Sequence, residues 1–167
     1  MSSALIIQVG AAPPYSCDNC VQELIAAPNG YFTRSMNGKL IFCKTSDSKR
    51  YRSVITCRDY HTLSGVWAGM KVRIGCVQSV WQHSTEAAIK LERDYVEDSL
   101  CVVDKEGHAV PFECKDNVVC VNRSSYDVDE VFYVSYRPWL DMHITDFKSE
   151  YSEWGMTCVW RLDLEEV

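Results

Sequence analysis

Six apolar residues at every second position near the C-terminus constrain the fold more than any other feature of the chain. Trp154, Met156, Cys158, Trp160, Leu162 and Leu164 alternate with Gly155, Thr157, Val159, Arg161, Asp163 and Glu165. Side chains along a strand point to opposite faces in turn. A period of two therefore puts the first set on a buried face and the second on a face open to solvent or to a polar neighbour. A second run precedes it, with Leu140, Met142 and Ile144 alternating against Asp141, His143 and Thr145. Together they predict a long antiparallel hairpin turned by residues 147–153.

The same reading upstream gives shorter strands at residues 5–9, 39–44, 50–58, 71–77, 100–103, 118–122 and 131–136. Asn37-Gly38 and Lys105-Glu106-Gly107 are turn chemistry, because glycine accepts the positive φ that hairpin turns require. Helix is scarce. Residues 21–26 are expected to form one turn or two. The best helix candidate is 84–95, with Ser84 or Thr85 as N-cap and Ala87, Ala88 and Leu91 as an apolar patch. Ala11-Ala12-Pro13-Pro14 reads as a short extended connector. The expected fold is mainly β, an antiparallel β-sandwich or open barrel with a long C-terminal hairpin and at most one or two short helices, in a single domain over residues 1–167.

Strands fold only where enough of their surface can be buried. Hydrophobic residues at 47% and charged residues at 24% are the balance of a globular chain. The 17 basic side chains are scattered among 23 acidic ones, for a formal charge of −6. A nucleic-acid partner needs a cationic footprint to displace counterions from phosphates, so none is expected. No apolar run is long enough to cross a bilayer, and the first residues lack the basic region of a signal peptide. The chain is therefore expected to stay in the cytoplasm after synthesis without membrane insertion.

Nine cysteines are many for this length, and an odd number cannot all pair within one chain. Most sit in apolar strand contexts, where cysteine behaves as a small buried hydrophobe, reduced in a cytoplasmic protein. Cys17-Asp18-Asn19-Cys20 has the spacing that lets two thiolates reach one metal. Zinc or an iron–sulfur cluster would need two more ligands, and the remaining cysteines lie singly along the chain. No cofactor is expected, and a metal or iron–sulfur site on Cys17 and Cys20 is the alternative. Cys57 and His61 invite a nucleophile and base reading. On a strand, however, they stand roughly 13 Å apart, too far for the activating hydrogen bond. His83, His108 and His143 are isolated. No P-loop, dinucleotide glycine fingerprint, nucleophile elbow or H-E-x-x-H is present, so the chain is not expected to be an enzyme. Aromatic residues crowd the C-terminal part. Tyr136, Trp139, Phe147, Tyr151, Trp154 and Trp160 are the interface candidates, with core packing as the competing use of the same side chains.

The segment Tyr136-Arg137-Pro138-Trp139-Leu140-Asp141-Met142-His143-Ile144-Thr145-Asp146-Phe147 leads into Glu150-Tyr151-Ser152-Glu153-Trp154-Gly155. The chain then ends Trp160-Arg161-Leu162-Asp163-Leu164-Glu165-Glu166-Val167. This ending resembles small tail-tip and baseplate proteins of long-tailed bacteriophages, in which Y-R-P-x-L-x-M-x-x-T-D-F is followed by E-W-G and by W-x-L-x-L-E-E-V. Residues 48–55 and 66–76 fit more loosely, and about half the chain is covered. The resemblance implies a non-enzymatic virion protein, assembled in the host cytoplasm. It would pack as a homo-oligomeric ring or small cluster between the tail tube and the hub or receptor-binding proteins. It assigns no catalytic residue. Some lambda-like phages carry an iron–sulfur cluster in a minor tail protein, which is where the cysteine-rich alternative meets the same family.

Overall fold

Alternation of apolar and polar side chains commits most of this chain to extended backbone, and pairing between distant segments completes the strands. The computed structural model describes residues 5–8, 19–45, 49–59, 61–122, 130–154 and 156–167. Among these residues run the strands β1 Ile6–Gln8, β2 Cys20–Ala27, β3 Gly30–Arg34, β4 Leu40–Lys44, β5 Arg50–Asp59, β6 Lys71–Gly75 and β7 Val80–Ser84. They are followed by β8 Ala88–Lys90, β9 Cys101–Val103, β10 Phe112–Lys115, β11 Val118–Val121, β12 Phe132–Tyr136, β13 Trp139–Ser152 and β14 Thr157–Glu166. All strand pairings given below are antiparallel. Among the described residues no sheet closes into a barrel, and no helix is long and apolar enough to cross a membrane. The fold is mainly β, with the expected C-terminal hairpin formed by β13 and β14.

Both helix expectations are overturned. Residues 21–26 lie inside β2, which pairs with β5 from Cys20 opposite Cys57 to Ala27 opposite Arg50. Residues 84–95 divide among the end of β7, the short β8 and turns. Ile89 and Leu91 are buried at a spacing of two, while Ala87 and Ala88 are exposed. Pairing of β8 with β11, Ile89 opposite Val119, outweighs the small helix preference of the two alanines.

The chain divides into two compact units, Met1–Gln8 with Arg73–Leu140, and Val9–Val72 with Asp141–Val167. In the first, β1 pairs with β6, β12 lies between β7 and β9, and β11 lies between β10 and β8. Phe132, Val134 and Tyr136, on one face of β12, join Val102, Val119, Val121, Ile89 and Leu91 in a single apolar cluster. The stretch Arg137-Pro138-Trp139 is pinned by hydrogen bonds. The Arg137 side chain donates from Nε to the carbonyl of Cys76 at 2.6 Å, and its backbone N–H donates to Ser99 Oγ at 3.1 Å. The Cys76 N–H donates to the carbonyl of Pro138, and the Trp139 N–H to that of Asp94. The Arg73 guanidinium stacks over the Trp139 ring and pairs with the Asp94 carboxylate, which also accepts from Asn117. These two donors hold the Asp94 carboxyl below its ordinary value.

In the second unit the strands run in the order β13, β14, β5, β2. Opposed residues share a face, so Cys20, Cys57 and Trp160 form one row, Gln22, Ile55 and Leu162 the next, and Leu24, Ser53 and Leu164 a third. The hydroxyl of Ser53, fully buried in this face, accepts a bond from Gln22 Nε2 at 3.0 Å. That bond removes the penalty of about 1–3 kcal/mol for leaving a buried hydroxyl unsatisfied. The other face is charged. Lys148 lies opposite Arg161 and Asp146 opposite Asp163, and each cation pairs with the acid two residues away on its own strand. Asp146 is thereby held below the ordinary carboxylate value and Lys148 above the ordinary amine value, each mainly through its hydrogen bond to the other.

The hairpin is longer than expected because β13 changes parity within itself. Leu140, Met142 and Ile144 are buried at even positions, and a bulge between Ile144 and Asp146 then inserts one residue. Beyond it the odd residues Phe147, Ser149 and Tyr151 lie opposite Leu162, Trp160 and Cys158. Residues 147–152 are therefore strand rather than turn, and the turn falls at Glu153, Trp154 and Met156. Trp154 and Met156, expected on the buried face, lie in that turn and are exposed.

Candidate interaction surface

Two groups of exposed apolar side chains stand out in the second unit, apart from Val21, Ile25, Trp67 and Val167, which are exposed elsewhere on it. One is the hairpin of β3 and β4, which among the described residues pair only with each other. Its turn is built by Gly38 at φ +77°, with the Ser35 N–H donating to the Lys39 carbonyl at 2.9 Å and the Gly38 N–H donating to the Ser35 carbonyl at 2.8 Å. At its base Gly30 lies against the opposite strand, where a Cβ would come within 2.2 Å of the Cys43 carbonyl oxygen. Tyr31, Thr33, Ile41 and Cys43 occupy one face and Phe32, Arg34, Leu40 and Phe42 the other. Phe32 and Phe42 stack at 5.0 Å between ring centroids, tilted by 52°. Such a pair contributes about 0.5–1.5 kcal/mol. A two-stranded ribbon is marginal by itself, so this contact leaves the hairpin with apolar surface still in water. Tyr31, Phe32, Met36, Leu40, Ile41 and Phe42 are all exposed, Met36 completely so at 106%.

The second place is the turn joining β13 to β14, beyond the last residues that β5 covers. Trp154 is 99% exposed, with Tyr151 and Met156 beside it in sequence and also exposed. Monomers normally expose large apolar residues singly, and grouped ones mark contact sites.

The interface candidates divide by this geometry. Tyr151 and Trp154 are at the surface, and Phe147 and Trp139 are partly buried, Trp139 beneath the Arg73 guanidinium. Tyr136 and Trp160 are fully enclosed, which makes them core residues, and burial pushes the Tyr136 hydroxyl up from its ordinary value. Sequence reading found the turn at Gly38 and the strand after it but not β3 before it. The signal was five residues upstream, in Gly30-Tyr31-Phe32-Thr33-Arg34, whose mirrored spacing about the turn matches β4.

Cys17 lies outside the described residues. Cys20 stands opposite Cys57, and Cys158, next but one to Trp160, shares their face. Among the described residues no group of three or more His, Cys, Asp or Glu side chains is arranged to hold a metal ion. Cys57 is fully buried on β5, between Cys20 of the edge strand β2 and Trp160 of β14, and His61 lies past the end of β5. No protein-family model matches the chain, and no curated protein matches it by sequence.

Proposed function

We propose that this chain is a structural protein that works by binding other proteins, as a subunit of the tail tip or baseplate of a long-tailed phage. There it joins the tail tube to hub or receptor-binding components. The observation that carries the reading is the grouping of exposed apolar side chains on two hairpin ends in a chain otherwise rich in surface charge. The resemblance of residues 136–167 to the ending of phage tail-tip proteins supplies the particular assembly. Open strand edges suit the same role, since a strand edge can take up a strand from a partner.

Peptide mass spectrometry of virions from the phage that encodes the chain tests the placement. The expected result is a fixed ratio of this chain to the tail-tube protein, retained in isolated tails. Absence from virions overturns it. The rival reading, a zinc or iron–sulfur module on Cys17 and Cys20, requires stoichiometric metal in anaerobically purified protein, lost when both cysteines are replaced by serine.

A further inference from the structure

The two exposed ends differ in charge as well as position. Residues 30–44 contain Arg34, Lys39 and Lys44 and no acid, in a chain of net charge −6. Residues 149–156 contain Glu150 and Glu153 and no base. Arg34, Lys39, Glu150 and Glu153 are exposed, and none takes part in an ion pair among the described residues. One end is thus basic and aromatic and the other acidic and aromatic, and each is left in water within a single copy.

We propose that these ends are the two halves of one contact between copies of this chain. The β3–β4 hairpin of one copy seats against the β13–β14 turn of the next, an inference that rests on the reading of the chain as a protein-binding subunit. Charge complementarity selects this arrangement over the symmetric one. Two hairpins packed on each other would oppose three cations to three cations, and two turns would oppose two acids to two acids. Pairing unlike ends instead sets Arg34 and Lys39 against Glu150 and Glu153 around an apolar centre of Phe32, Met36, Trp154 and Met156. A head-to-tail contact of this kind closes into a ring or extends as a filament, according to the rotation between copies.

The size of the patches sets the strength. The smaller end, Tyr151 with Trp154 and Met156, offers on the order of 500 Å², so both sides together bury about 1,000 Å², the lower limit of a specific interface. A single junction is therefore weak, and a closed assembly gains its persistence from multiple junctions.

The test measures mass by sedimentation velocity on the full chain. Wild type is expected to self-associate with concentration, less so in high salt. The double variants Arg34→Glu with Lys39→Glu, and Glu150→Lys with Glu153→Lys, are each expected to weaken association about tenfold or more. Mixed in equal amounts they are expected to recover it, because every junction between unlike variants again opposes charges. All four positions are exposed, and an unchanged circular dichroism spectrum verifies that the variants fold. A wild type that stays monomeric, a double variant that assembles like wild type, or a mixture that fails to recover overturns the inference. Monomeric protein that is nonetheless present in virions removes the contact between copies while keeping the structural role. Self-assembly with absence from virions does the reverse.

Discussion

Trp154 and Trp160 are six residues apart on one hairpin and occupy opposite extremes of it, the first 99% exposed in the turn and the second completely buried beside Cys57. Replacing Trp160 by alanine leaves a cavity in the largest enclosed side-chain position of the fold and is expected to cost about 3–5 kcal/mol in denaturant unfolding. Trp154→Ala is expected to leave stability within about 0.5 kcal/mol of wild type, since none of the described residues covers the ring. Equal losses in the two variants would refute the assignment of one ring to the core and the other to the surface.

Gly30 is fixed by contact rather than by φ. A methyl group there would press on the backbone carbonyl of Cys43, an atom that cannot swing aside. Gly30→Ala is expected to destabilise the β3–β4 hairpin by about 1–3 kcal/mol. Hydrogen exchange reads this locally: amides of residues 31–44 exchange faster while those of β14 keep their protection. Unchanged exchange in the hairpin would show that the strands can part at no cost.

Arg137 acts as a brace in the first unit. Its Nε–H reaches the carbonyl of Cys76, and lysine has no donor at that point of the side chain. Arg137→Lys is expected to lower the stability of the unit by about 1.5–3 kcal/mol, the range for a hydrogen bond from a charged group. Thermal unfolding followed in the near ultraviolet, where Trp139 and Tyr136 report, measures it.

Asp94 makes stability depend on acid. Its folded carboxyl sits below the ordinary 3.8, first through the Asn117 amide and then through Arg73. The stabilisation is present above the unfolded value and is lost as pH falls through the lower folded value. Asp94→Asn should therefore flatten the fall in stability below about pH 4, with the Arg73 contact weakened at neutral pH. An acid limb of unchanged slope would assign the titration to other carboxylates.

The β content was legible because period-two alternation is a property of adjacent residues. Seven segments read as strands at 5–9, 39–44, 50–58, 71–77, 100–103, 118–122 and 131–136 each coincide with an observed strand whose ends differ by no more than two residues. What escaped was set by partners elsewhere in the chain. Ala87 and Ala88 suit a helix locally, and only the presence of β11 draws the segment into β8. The extra residue between Ile144 and Asp146 reverses which parity is apolar, so a strand that continues to Ser152 reads as one that stops.

The interaction surface divides in the same way. The sequence by itself determined only the composition of the two segments, aromatic and basic over residues 30–44 and aromatic and acidic over 149–156, since composition is local; that each forms a hairpin end was decided by strand pairing. Whether an aromatic ring is core or surface depends on what lies across from it. Tyr136 is enclosed in the apolar cluster of the first unit and Trp160 is buried between its neighbours on β5 and β13, while Tyr151, Trp154, Phe32 and Met36 stay exposed. Burial is a relation between distant segments, and only the tertiary structure supplies it.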